Sequence, residues 1–171
     1  VCLCERDGVC VHGELLPAAA SAIALMQRGV DLATVALRVR KLFMSEHPVS
    51  HGRGSLLHSY KLDMHSTMHQ TTAFAALISE FALQSVYTDQ GASGHTHRKT
   101  TDLLCDPVLY RACMPVLGVL RLPDTWVSSA PPLSGKKPDG SFVTKAAEIY
   151  PLLFSERLAR VWLVASTLTT A

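Results

Sequence analysis

The chain has 171 residues with a formal net charge of +2, and 48% of its residues are hydrophobic whereas only 18% are charged. A chain of this length forms one domain or a piece of a larger one, and its apolar content excludes an intrinsically disordered protein. A sequence pI near 8.4 is below that of proteins that hold nucleic acid by bulk electrostatics. Any nucleic-acid contact therefore has to be local.

The N-terminal region and the cysteines indicate an intracellular fragment. The longest uncharged apolar stretch, residues 15–26, is shorter than the roughly 20 residues that span a bilayer, so no membrane contact is predicted. The chain begins at Val1 and has Glu5 and Asp7 before that stretch, which is unlike a secretory signal and predicts a start within a longer protein. The five cysteines are odd in number and unevenly spaced, which favours a reducing compartment over a secreted disulfide framework.

Two helices are predicted before the first strand. Residues 16–28 are rich in Ala, Leu and Met and stop at Gly29, a typical helix-ending residue. Asp31 would cap a second helix over residues 31–41, where apolar residues recur every three or four positions.

The first strand and a long loop follow. The apolar run from Leu42 predicts a buried strand that ends at Glu46, because Pro48 biases His47 to an extended conformation and prevents a helix. Residues 49–66 have no clean period and are predicted to form a loop.

The second half of the chain alternates between helix and strand. A helical stripe predicts a helix over residues 71–83, followed by strands over 85–88 and 100–105 with a glycine-rich break at 91–94. Asp106 and Pro107 supply a cap and a first-turn proline for a short helix that ends at residue 114.

The C-terminal third is predicted to be irregular over residues 118–143 and helical over 151–163. The succession of elements predicts an α/β fold, with helices flanking a central sheet and a long irregular C-terminal segment.

Two segments could carry chemistry. Glu46 ends a predicted strand, where open α/β sheets place reactive groups, although a solvated strand-end glutamate would give the same pattern. Residues 89–101 combine two glycines with Gln90 and the adjacent cations Arg98 and Lys99, which could bind base edges and phosphates. An exposed polar turn is the alternative interpretation of that segment.

Histidines and cysteines are the residue types that could act as metal ligands or nucleophiles. His65 and His69 are four residues apart, a spacing that would put both rings on one face of a helix, but their surroundings are not convincingly helical. The cysteines near the N-terminus match no common zinc spacing, so no metal site is predicted. Cys105 and Cys113 lie in apolar surroundings, which favours inert core thiols.

Five segments, taken in order, are similar to the C-terminal half of divergent cytosine-5 DNA methyltransferase-like domains. Such domains also occur in polyproteins of mobile elements in protists. The resemblance covers roughly residues 30–163. The segments are FMSEHP at 43–48, GRGS at 52–55, VYTDQGASG at 86–94, RKTTDLL at 98–104 and DGSFVTKAAEIYP at 139–151.

The resemblance implies a partial Rossmann-like methyltransferase sheet that uses S-adenosylmethionine. In that family a Pro-Cys motif supplies the attacking thiolate, and a strand-end glutamate holds the cytosine and assists its protonation. Glu46 matches that glutamate, with His47 in place of the usual Asn. The family's DNA-contacting motif would fall at residues 97–101, where Arg98 and Lys99 keep the positive charge and Thr101 replaces an arginine.

The resemblance also implies that the chain is inactive alone. No Pro-Cys dipeptide and no glycine-rich cofactor loop occur in it, so a missing N-terminal half would have to supply the nucleophile and the cofactor site. Residues 1–30 are expected to be a helical lead-in, and residues 31–171 a partial domain that binds DNA, in the nucleus. The alternatives are a non-enzymatic, degenerate mobile-element remnant and a small His-rich metal-binding module.

Overall fold

The computed structural model describes residues 17–48, 72–123, 125–130 and 149–169. Within these residues four α-helices surround a small sheet of three strands. The elements in chain order are α1 (Pro17–Arg38), β1 (Met44–Pro48), α2 (Thr72–Phe81), β2 (Gln84–Asp89), β3 (Thr100–Cys105), α3 (Pro107–Cys113) and α4 (Leu152–Thr169). A 3₁₀ turn, Gln90–Ser93, follows β2, and a π-helical turn, Met114–Gly118, follows α3.

The strands lie in the order β1-β3-β2, and β3 is antiparallel to both neighbours. The outer strands β1 and β2 are therefore parallel to each other. The register places Glu46 and Val86 on either side of Leu103. Because directly paired residues point to the same side of a sheet, these three define one face, the Glu46 face, and their neighbours point to the other.

Helices pack on both faces of the sheet. On the Glu46 face, Val86, Leu103 and Cys105 pack with buried residues of α3 and α4, among them Leu109 and Phe154. On the opposite face, Leu104 packs with residues of α1 and α2, namely Val30, Ala33, Phe74 and Leu77. This layered mixture of helix and strand confirms the coarse α/β prediction.

The prediction of two N-terminal helices is wrong, because α1 runs without interruption through Gly29. A glycine inside a helix costs only about 1 kcal/mol relative to alanine, and the neighbouring Val30 and Ala33 gain burial against α2 and the sheet. Asp31 is consequently no cap but an interior residue, and it accepts a hydrogen bond from Gln27 at 2.9 Å. The domain boundary expected at residue 30 falls inside this helix.

The first strand is displaced by two residues from its prediction. It spans Met44–Pro48 rather than residues 42–46, because β3 ends at Cys105, the partner of Met44, and Asp106 beyond it already caps α3. The backbone N–H of Asp106 donates to the Phe43 carbonyl at 3.0 Å. Pro48 is tolerated as the last residue of an outer strand, where a missing N–H costs least.

The remaining described elements follow the sequence pattern closely. Helix α2 and strand β2 lie within one or two residues of their predicted bounds, and β3 has the predicted ones. Helix α4 continues to Thr169, beyond the predicted end at 163, because Ala165 extends its buried stripe. The predicted loop at residues 49–66 lies outside the described residues.

Candidate functional site

Glu46 and Tyr150 meet on the Glu46 face of the sheet. Glu46 is half-buried in the middle of β1, and Tyr150 lies just before α4. The phenol O–H of Tyr150 donates a hydrogen bond to the Glu46 carboxylate. Burial, together with this hydrogen bond and the negative charge of Glu46, raises the pKa of Tyr150 to about 12. The phenol is therefore protonated, and a donor, at physiological pH.

The Tyr150 ring contacts both a cation and a second aromatic ring. The Nζ atom of Lys99 lies 4.8 Å from the ring centroid. The Phe154 ring is stacked on Tyr150 with a centroid distance of 5.5 Å and an interplanar angle of 26°. We call Glu46, Lys99, Tyr150 and Phe154 the Tyr150 cluster. It joins Glu46 and Lys99, which the sequence singled out as site residues, through Tyr150, to which the sequence assigned no role.

Helix α4 fixes the position of the cluster. Phe154 is fully buried in the core against α3 and the sheet. One turn later, Arg157 donates to the Ser93 hydroxyl at 2.8 Å and so ties the helix to the 3₁₀ turn after β2. Because Phe154 and Arg157 anchor the start of α4, Tyr150, which lies two residues before the helix, is held against β1.

A buried polar group lies farther along the same face. Gln90 is fully buried, and its Nε2 atom donates to the Thr101 hydroxyl at 2.9 Å. Thr88 faces Thr101 in the register and is also fully buried. Within the described part of the chain, Gln90 Oε1 and Thr88 Oγ1 are buried without a hydrogen-bond partner. Gln90 thus presents no surface to a nucleic acid, in contrast to its predicted role.

The neighbouring cations Arg98 and Lys99 are directed to different places. Arg98 donates to the carbonyls of Leu122 and Pro123, and its Nη1 atom lies 3.9 Å from Asp89 Oδ2. Lys99 has a φ of 40°, a left-handed conformation that is uncommon for a residue with a side chain. The predicted pair is therefore divided, and of its two members Lys99 is the one at the Tyr150 cluster.

The turn between β2 and β3 depends on its two glycines. Gly94 has a φ of 95° and ends the 3₁₀ turn, as the predicted break requires. A Cβ atom on Gly91 would lie 2.7 Å from the Leu122 side chain and 3.0 Å from the His97 carbonyl oxygen. Because Gly91 has no side chain, the segment around His97 can pass close to it and lead back into β3 beside β2.

The histidines and cysteines of the described residues form no metal cluster. No group of three or more His, Cys, Asp or Glu side chains is suited to hold a metal ion there. The expectations for His65, His69 and the N-terminal cysteines lie outside the described residues.

The two described cysteines are buried, as predicted for core thiols. Cys105 and Cys113 are fully buried, with their Sγ atoms 3.9 Å apart. The hydrogen bond to Cys113, together with burial, raises the pKa of the Cys105 thiol well above its usual range. Cys105 therefore stays protonated and is no candidate nucleophile.

Comparisons with known proteins give no family for the chain. No protein-family model matches it, and no curated protein or solved structure is significantly similar to it. Across the residues that the structure describes, no helix has both the length and the apolar character needed to cross a membrane.

The Glu46 to Tyr150 hydrogen bond can be tested by titration. Glu46→Gln removes the negative charge that favours the protonated phenol, so the pKa of Tyr150 should fall from about 12 towards the ordinary value of about 10. Tyrosinate absorbance near 295 nm measures this shift among the four tyrosines of the chain. Tyr150→Phe identifies the Tyr150 transition by removing it. An unchanged transition in Glu46→Gln would contradict the hydrogen bond.

Proposed function

We propose that the chain is the C-terminal part of a Rossmann-like methyltransferase domain, similar to the cytosine-5 DNA methyltransferases, in which Glu46 holds the target base. The sheet order carries this proposal. The last strands of a Rossmann-like methyltransferase sheet have the same arrangement, with the final strand antiparallel between two parallel neighbours. Here β1, α2 and β2 make the crossover, and β3 returns between the two parallel strands.

The apolar surface of α1 supports a sheet that continues beyond β1. Leu25 and Leu32 are 71% and 73% exposed, and Val35 and, directly after the helix, Val39 are also exposed. This side adjoins a groove of about 310 Å³ between α1 and the start of β1. The groove is lined by Leu25, Met26, Gly29, Phe43, Met44, Ser45 and Phe74.

Exposed apolar surface of this extent marks an interaction site. Because the groove lies beside the outer strand β1, the occupant that we propose is the N-terminal half of the same domain. Its parallel strands would extend the sheet past β1, and α1 would cover them. Covering both faces with helices is what a mainly parallel sheet requires.

In the proposed site Glu46 contacts the base and Lys99 lies beside it. A carboxylate accepts hydrogen bonds from the ring and amino N–H groups of a base. Lys99 contributes positive charge over the Tyr150 ring, which itself contacts Glu46, and this charge suits an approaching DNA strand. DNA is accordingly the proposed partner, and the nucleus the proposed compartment. Arg98 acts on the fold instead, through its contacts with the segment after the π-helical turn.

The described residues supply no attacking thiolate. The thiols of Cys105 and Cys113 are enclosed in the core, so neither can reach a base. No residue of this chain is assigned to the cofactor. The methyl donor supplies the transferred methyl group, and the proposed N-terminal half would bind it and provide the attacking thiolate.

The test uses the reading frame upstream of Val1. The transcript is sequenced, the extended polypeptide is expressed, and transfer of a labelled methyl group from S-adenosylmethionine to cytosine in DNA is measured. We expect transfer by the extended polypeptide and none by the 171-residue chain. Glu46→Gln should lower the rate by about 100-fold or more, as loss of a general acid does. Glu80→Gln, at an exposed residue paired with Arg38, is the control and should leave the rate unchanged.

Three results would contradict the proposal. One is methyl transfer by the 171-residue chain alone, and another is full activity of the extended Glu46→Gln variant. The third is an upstream frame that is interrupted or lacks a Pro-Cys motif, which would favour the degenerate mobile-element remnant.

A further inference from the structure

The Tyr150 ring is held in the way that proteins hold a planar base. One face stacks on Phe154, the ammonium of Lys99 lies over the ring, and the hydroxyl at its edge donates to the Glu46 carboxylate. Aromatic stacking, a cation over the ring and a carboxylate at the edge are the contacts that bind nucleobases in single-stranded sites. All three converge on one side chain that is itself 38% exposed.

We propose that Tyr150 occupies the base position of the site, so that a pyrimidine of single-stranded or flipped-out DNA binds only after the Tyr150 ring is displaced. This inference rests on the proposed function, because it takes Glu46 as the residue that contacts the base. Tyr150 is then an internal competitor of the substrate. A base that enters has to replace the hydrogen bond from Tyr150 to Glu46 with its own.

The surrounding structure allows the ring to leave while α4 stays in place. Tyr150 precedes the first residue of α4 and is not part of the helix. The helix is held by buried Phe154, Val161 and Ala165 and by the contact of Arg157 with Ser93. A rotation at Tyr150 would uncover the Phe154 ring as a stacking surface beside Glu46 and Lys99.

The experiment compares the binding of two labelled oligonucleotides of equal length by fluorescence anisotropy at one fixed salt concentration. One is oligodeoxycytidylate, and the other has the same backbone without bases. We expect Tyr150→Ala to bind the cytosine oligonucleotide about 10-fold more tightly than the unmodified chain, since one base gains a stacking surface. Binding of the abasic strand should not change. Tyr150→Phe keeps the ring in place and loses only the hydrogen bond to Glu46, so its gain should be smaller than that of Tyr150→Ala.

If the space vacated by the Tyr150 ring is the base site, the tighter cytosine binding of Tyr150→Ala has to depend on Glu46. In the double variant Tyr150→Ala, Glu46→Gln, the gain should be lost. Unchanged or weaker cytosine binding by Tyr150→Ala, an equal gain for the abasic strand, or a gain that survives Glu46→Gln would each overturn the inference. Tyr150→Leu, which keeps apolar contact with Phe154 without a planar ring, replaces Tyr150→Ala if the latter does not unfold cooperatively.

The outcome is separable from that of the proposed function. Methyl transfer by the extended polypeptide that depends on Glu46, without tighter cytosine binding by Tyr150→Ala, would reject the competitor role and leave the role of Glu46 intact. Tighter, Glu46-dependent cytosine binding without methyl transfer would support the base position and reject the enzyme.

Discussion

Replacement of Asp89 by alanine is expected to lower the free energy of unfolding by about 3–5 kcal/mol. Asp89 is fully buried at the end of β2. Its Oδ1 atom accepts a hydrogen bond from the Thr100 hydroxyl at 2.6 Å, and its Oδ2 atom accepts one from the Leu122 backbone N–H at 2.8 Å. Alanine would leave both partly buried donors without their acceptor.

Two arginines increase the cost of losing this carboxylate. Arg121 Nε lies 3.7 Å and Arg98 Nη1 3.9 Å from Asp89 Oδ2. Their side chains are 54% and 30% exposed, so solvent screens both attractions and the hydrogen bonds account for most of the effect. Without Asp89, the positive charges would remain close together beside the segment that follows the π-helical turn.

Urea denaturation followed by circular dichroism measures the change. Asp89→Asn keeps the shape and one acceptor oxygen but turns an NH₂ group towards one of the two donors, so its effect should also exceed about 1 kcal/mol. Asp31→Ala, at an exposed position of α1, is the matched control and should change the free energy of unfolding by less than about 0.5 kcal/mol. Equal stabilities of Asp89→Ala and Asp31→Ala would show that Asp89 does not organise this end of the sheet.

The sequence predicts elements well where local signals and tertiary packing agree. Strand β3 and the capped start of α3 have both, and their predicted positions match the structure. Gly29 is a local stop signal, but the burial of Val30 and Ala33 against distant residues outweighs it. The start of β1 is set by Asp106, which is 63 residues away in the chain, so no local pattern could reveal it.

The candidate site shows the same limit. Glu46 could be recognised from a predicted strand end, although it lies in the middle of β1, and Lys99 from its charge. Tyr150 could not, because its role depends on α4 returning to the sheet after a segment that carries no periodic signal. Arg98 and Lys99 are equivalent as sequence letters. Only the conformation of the turn, with its positive φ at Lys99, decides which cation reaches the Glu46 face.

The second large effect is expected at Asp106, which connects β1 to α3. Its Oδ1 atom caps α3 by accepting from the backbone N–H groups of Val108 at 2.8 Å and Leu109 at 3.1 Å. Its Oδ2 atom accepts from the Phe43 N–H at 2.7 Å. Asp106→Ala should therefore lower the free energy of unfolding by about 2–4 kcal/mol, the sum of a lost helix cap and an unsatisfied N–H group.

Two further substitutions separate the cap from the connection. Asp106→Ser can still cap α3 but is too short to reach Phe43, and Asp106→Asn keeps the cap while it turns an NH₂ group towards the Phe43 N–H. Both should be less destabilising than Asp106→Ala and more than Glu156→Ala, a control at an exposed position of α4. Hydrogen exchange of the Phe43 amide should be faster in all three Asp106 variants. If Asp106→Ser were as stable as the unmodified chain, the cap of α3 alone would explain the conformation of Asp106. Its bond to the Phe43 N–H would then not stabilise the start of β1.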